Sequence, residues 1–190
     1  ACGVGVPPDS YPDVGGQEQI AQKNEAVAQV MALALSCDLT RSFSVLFSTA
    51  GSGAVFWPAG ASYSMHATCH EEPMPQPTVH AATTYTMERL GVFLRTLRDT
   101  PEGSGNLLDR CSILCTTELS DGWTHANTNF PILLAGKGDG RLRGGVHWRL
   151  GSADNTSRAV LTALRGAGVD VASFGADAGY ADGVVGEVMG

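Results

Sequence analysis

Charge is scarce in this sequence. Only 16% of its 190 residues are Asp, Glu, Lys or Arg, so the surface must be built more from Gly, Ser, Thr and Ala than from Lys and Glu. The charge that is present leans one way. A net charge of −7 argues against a nucleic-acid backbone or an anionic membrane as partner, since both call for a cationic face. Long apolar runs are missing too. A bilayer-spanning helix needs about 20 consecutive apolar residues, whereas the longest stretch here, residues 27–36, belongs to an amphipathic helix. No transmembrane segment is expected. The sequence opens Ala-Cys-Gly-Val, with neither an initiator Met nor a signal peptide, and reads as a mature product or a piece of something longer. Together with low Lys and abundant Gly, Ser and Thr, that fits an exported protein: periplasmic, cell-surface or extracellular.

Five cysteines leave at least one unpaired within the chain. Cys111 and Cys115 fall four apart on a predicted strand, roughly 13 Å from each other. A disulfide needs Cα atoms within about 7 Å, so these two do not pair together. Buried thiols, or bridges from either to Cys2, Cys37 or Cys69, remain open.

What is present has a readable order. Residues 1–16 are rich in Gly and Pro and form an extended entry segment. From 17 to 36, Ile20, Val27, Val30, Met31, Leu33 and Leu35 keep mainly to helical spacing with Ala between them. Residues 42–48 alternate like a strand. Residues 49–82 are a long irregular region with four prolines and three of the five histidines (His66, His70, His80). A loop of that length with Phe56, Trp57 and Tyr63 in it reads as ordered and functional. Helical spacing returns over 83–99, and 101–106 is a turn.

Residues 107–117 and 131–135 are continuous apolar strands, the pattern of a parallel sheet covered on both faces. Residues 137–145 make a glycine-rich turn, 146–150 a short strand, and Ser152 or Asp154 caps a helix to about residue 165. Residues 176–190 are a Gly- and Ala-rich tail. Helices alternating with apolar strands predict one α/β domain over 17–175, a mainly parallel sheet sandwiched by helices.

The chemistry concentrates between the two apolar strands. Glu118, Asp121 and His125 lie on one connection beyond a strand end, where open α/β sheets place their sites. Carboxylates with an imidazole are ligands for Zn²⁺, Mn²⁺ or Fe, and serve proton transfer. The plainer reading is that Asp121-Gly122 is a turn dipeptide whose side chain ties the loop to itself. A second cluster is His66-Ala-Thr-Cys-His70-Glu71-Glu72. Two His four apart share a metal on a helical turn, although Pro73 argues against a sustained helix. His80 and His147 are weaker candidates. Gly136-Lys-Gly-Asp-Gly140 lacks P-loop spacing and reads as a hairpin turn, with Lys137, Arg141 and Arg143 as an anion-facing edge.

The segments 31–47, 66–71, 101–109, 116–147 and 155–175, in this order and spacing, resemble the C-terminal half of the exported bacterial proteins grouped as domain-of-unknown-function family 1552. The resemblance covers most of the chain after residue 25, and the 116–147 block is its most specific part. That family is similar in turn to the alkaline phosphatase and sulfatase superfamily, α/β folds whose metal ligands are Asp, Glu and His at strand ends. The family's Ser-Glu-Leu…Asp-Gly…His pattern falls on Thr117, Glu118, Leu119, Asp121, Gly122 and His125. Its His-x-x-Ser-His pattern falls on His66, Cys69 and His70, with Cys69 in place of the usual Ser.

The resemblance implies catalytic roles for Glu118, Asp121 and His125 and a divalent metal (Zn, Ca or Mn) on His66, His70, Asp121 and His125. Lys137 and Arg141 would then face the substrate. In phosphatase-like enzymes the nucleophile and several ligands come from an N-terminal half, and this chain corresponds to the C-terminal half alone. Two functions are therefore expected. One is a non-catalytic or incomplete exported unit in a surface assembly, with a protein partner or self-association. The other is a metal-dependent phosphate- or sulfate-ester hydrolase completed by another segment or chain.

Overall fold

The computed structural model describes residues 5–151 and 154–190. The described chain forms two compact units. One comprises residues up to Thr100 together with Glu118–Asn129, and the other comprises Pro101–Thr117 and Phe130–Gly190. Residues 1–4 of the predicted entry segment, with Cys2, and the predicted cap Ser152 lie outside the described residues.

The first unit is helical. α1 (Ile20–Ser36) packs on α3 (Pro77–Asp99), and the short α2 (Met65–Glu71) also packs on α3. In α1 the buried positions are Ala26, Ala28 and Ala32, while Val27 and Val30 are exposed. The buried positions of the helix are thus all alanines, while Met31, Leu33 and Leu35 are half-buried. α3 starts six residues before the predicted 83, since Pro77 can sit in a first helical turn without costing a hydrogen bond. The core beneath its N-terminal half is Phe56, Ala61 and Ala82, with Met65 and Tyr85 packed around them. Phe47 stacks on Phe56 with ring centroids 6.0 Å apart. The alternation over 42–48 forms no strand; its aromatics make ring contacts instead, Phe43 meeting Phe93 edge-on at 5.6 Å.

The second unit holds the four strands found among the described residues. β1 (Pro101–Glu102) pairs with β2 (Gly105–Asn106), and β3 (Ile113–Thr116) with β4 (Ile132–Ala135), both antiparallel. The register of the larger pair runs from Ile113 opposite Ala135 to Thr116 opposite Ile132. This overturns the expected mainly parallel sheet sandwiched by helices and its likeness to the C-terminal half of an alkaline-phosphatase-like fold. Among the described residues there are only these two antiparallel pairs. A continuous apolar run does not report strand direction, and here it does not report coverage on both faces either, since Leu133 of β4 is exposed. Residues 107–110, read as the start of a strand, are the single-turn helix α4 (Leu107–Arg110), capped by the Asn106 side chain accepting from the Asp109 N–H.

α5 (Ser157–Gly166) packs on β3, buries Leu161 and Thr162 completely, and is fastened by Ser112 Oγ donating to the Ala163 carbonyl at 2.7 Å. The buried Thr162 hydroxyl is satisfied both ways: it donates to the Arg158 carbonyl at 2.6 Å and accepts from the Val185 N–H at 2.9 Å. Asp154, expected as a helix cap, instead pairs with Arg158 at 2.6 Å, and Asn155 Oδ1 accepts the Ser157 N–H. The Gly- and Ala-rich tail is packed, burying Ala181 and Val185 and pairing Met189 with Leu142. Residues 146–150 form no strand. No helix among the described residues is long and apolar enough to cross a membrane.

Candidate metal centre

α2 carries the first two histidines. Ser64 caps it, its hydroxyl accepting from the Ala67 N–H at 3.2 Å, and the helix stops at Glu72 because the residue before a proline is pushed to extended backbone. Pro73 therefore ends the helix without preventing it. Two turns suffice to put His66 and His70 on one face, with ring centroids 4.8 Å apart.

His125 comes from residues 118–129, a loop that closes on itself. The Ser120 N–H and hydroxyl both donate to the Ala126 carbonyl, at 2.8 and 2.7 Å. Asp121 Oδ1 accepts the N–H groups of Trp123 and Thr124 at 2.8 and 3.1 Å. These bonds, led by that from Thr124, hold the Asp121 carboxyl below the ordinary aspartate value. His125 itself takes a left-handed φ of 54°, which turns its ring back toward α2. Gly122 makes the docking possible: a Cβ there would stand 2.8 Å from Cys69 Sγ. Cys69 is a free thiol, pushed up by burial and further by the Asp121 and Glu72 carboxylates, so it is a packing group and not a ready thiolate.

The three imidazoles converge. His70 Nε2 and His125 Nε2 are 3.0 Å apart, and one ligand nitrogen from each of His66, His70 and His125 lies within 4.8 Å of the others. Tetrahedral zinc with Zn–N bonds of 2.0–2.1 Å wants nitrogens about 3.3 Å apart, so the His70–His125 pair is close to that spacing and His66, within 4.8 Å of both, would draw in to complete it. His66 Nδ1 lies 3.1 Å from the Ala50 carbonyl. A carbonyl only accepts, so Nδ1 carries the proton and Nε2 is left free as a ligand. A carbonyl behind the ring is a common second partner of metal-binding histidines. His66 and His125 are exposed and His70 half-buried, so the centre opens to solvent.

Not all the predicted residues join this group. Asp121 is committed to its own turn, the plainer of the two sequence readings. Glu118 Oε2 accepts the Ala50 N–H and is not among the three converging ligands. Lys137 and Arg141 belong to the other unit, where Lys137 pairs with Asp109 at 2.8 Å and Arg141 donates to the Gly138 carbonyl at 3.0 Å. The glycine-rich turn there serves close packing: a Cβ on Gly136 would meet the Cys111 carbonyl oxygen at 2.1 Å. His80 and His147 lie outside the cluster, which is the one such group among the described residues. Cys111 and Cys115 are free thiols and Cys37 is disulfide-bonded. The backbone of Ala50 carried no signal in the sequence; Gly122 was singled out there as a turn residue and as part of the family pattern, but its contact with Cys69 was not.

No family model, curated protein or solved structure matches this chain.

Proposed function

We propose that this protein binds one divalent transition metal, zinc by preference, on His66, His70 and His125, and uses it for ester hydrolysis. The observation that carries the reading is the convergence of three imidazoles from two segments, the nearest pair 55 residues apart in sequence and 3.0 Å apart in space. Three nitrogen ligands with a solvent-facing fourth position are the donor set of catalytic zinc, whereas structural zinc is closed by four protein ligands. Such a metal supplies Lewis acidity and a bound water of lowered pKa. The chain holds the three rings in place, and Ser120 to Trp123 of the loop that presents His125 also line a shallow cleft with Met74, Gln76 and Val79.

The test is a metal titration of the full chain followed by an ester screen covering phosphate, sulfate and carboxylate esters. One equivalent of zinc should bind. His70→Ala and His125→Ala should each abolish binding, with the melting temperature of the metal-free chain lowered by no more than a few degrees. Retention of metal by His125→Ala would overturn the ligand set.

A second reading has its own support. Leu39 and Leu46 are 77% and 68% exposed within one short segment that also exposes Val45, which favours a protein partner or self-association in an exported assembly, and the disulfide at Cys37 suits an oxidising compartment. Light scattering on the purified chain, with Leu46→Glu as control, distinguishes self-association from a monomer.

A further inference from the structure

We propose that Glu118 is a positioning residue for the metal centre, acting through the peptide backbone of Ala50; the inference rests on the metal reading above. Ala50 is held from both sides. Its N–H donates to Glu118 Oε2, and its carbonyl accepts from His66 Nδ1, 3.1 Å away. Glu118 is also the first residue of the loop that delivers His125. One carboxylate thus fastens the base of the His125 loop to the residue whose carbonyl sets the tautomer and rotation of His66. Those two contacts add a second link between the ligand-bearing segments, which also touch at Gly122 and Cys69, and it runs through residue 50, which belongs to neither.

The contact geometry separates this role from that of a ligand. The carboxylate oxygen is engaged with an amide hydrogen, and the converging nitrogens are those of the three histidines alone.

Cobalt(II) titration of the full chain, with affinity from competition against a chromophoric chelator, tests this. Glu118→Ala removes the acceptor and Glu118→Asp keeps the charge but falls one methylene short. Both should weaken cobalt binding roughly 10–100-fold, the usual cost of losing an outer-shell partner, and alter the ligand-field spectrum. Glu118→Gln keeps an acceptor oxygen at the same reach and should stay within a few-fold of wild type with its spectrum intact. Circular dichroism of the metal-free variants controls for folding; if Glu118→Ala does not fold, Glu118→Asp against Glu118→Gln decides on the same criterion. Wild-type affinity in the alanine and aspartate variants overturns the positioning role and leaves the metal reading standing. A glutamine variant as weak as alanine also overturns it, because charge alone would then be at work. A wild-type chain that takes up no cobalt overturns the metal reading and this inference together.

Discussion

Asp109 has several partners at once. Its backbone N–H is capped by Asn106 Oδ1 at 3.0 Å, its Oδ2 accepts from Asn106 Nδ2 at 2.9 Å, and its Oδ1 pairs with Lys137 at 2.8 Å. The hydrogen bond from Lys137, ahead of the smaller help from the Asn106 backbone and the charge of Arg110, holds the carboxyl below its ordinary value. A carboxylate whose folded pKa is depressed stabilises the fold above the unfolded value of about 3.9, and that contribution is lost as pH falls through the folded value. Asp109→Asn should therefore melt a few degrees lower at pH 7 and converge with wild type in acid, below the folded pKa. Thermal melts from pH 7 down to pH 2 check this; a constant gap across the range would show that the ionised form is not what stabilises. Residues of this kind were partly legible. The spacing of His66 and His70 exposed them as a pair, and Asp121-Gly122 advertised a turn. That Asp121 spends its carboxylate on two loop amides, while His125 turns toward α2, depends on a left-handed backbone at residue 125 that no spacing encodes.

At the scale of elements, the site is α2 against the 118–129 loop, and Gly122 is where they touch. A methyl group there would meet Cys69 Sγ at 2.8 Å and Cys69 Cβ at 3.3 Å, and overpacking of this kind costs about 1–3 kcal/mol. Gly122→Ala should weaken metal binding about tenfold or more if even 1.4 kcal/mol of that strain is relieved by moving the loop off its docked position. Adding Cys69→Ala, which removes the sulfur but not the Cβ, should recover part of the loss. Metal affinities of the two single variants and the double variant form the cycle; strict additivity would place the clash elsewhere. The long helices were readable from periodicity, α1 to within three residues of its start, whereas α2 fell in a stretch read as irregular and α4 in one read as strand. Strand direction was not, because an apolar run does not encode it, and the inferred coverage on both faces also fails at Leu133 of β4, which is exposed.

At the scale of the whole molecule, the metal reading makes a regional claim. All three ligands lie in one unit, in segments that the chain visits on either side of Pro101–Thr117, which belongs to the other. Metal binding to the folded state alone stabilises by RT ln(1 + [L]/Kd), about 2.7 kcal/mol at a hundredfold excess over Kd. That stabilisation should appear where the ligands are. Hydrogen exchange in saturating zinc should slow at Met65–Glu71 and at residues 118–129, and a chelator should reverse it. Ser157–Gly166, which packs on β3 in the other unit, should exchange as before, since no ligand sits on it. Protection confined to α5, or absent from the 118–129 loop, would mean that zinc binds through other groups, and the three-histidine centre would have to be abandoned even if a titration showed one equivalent.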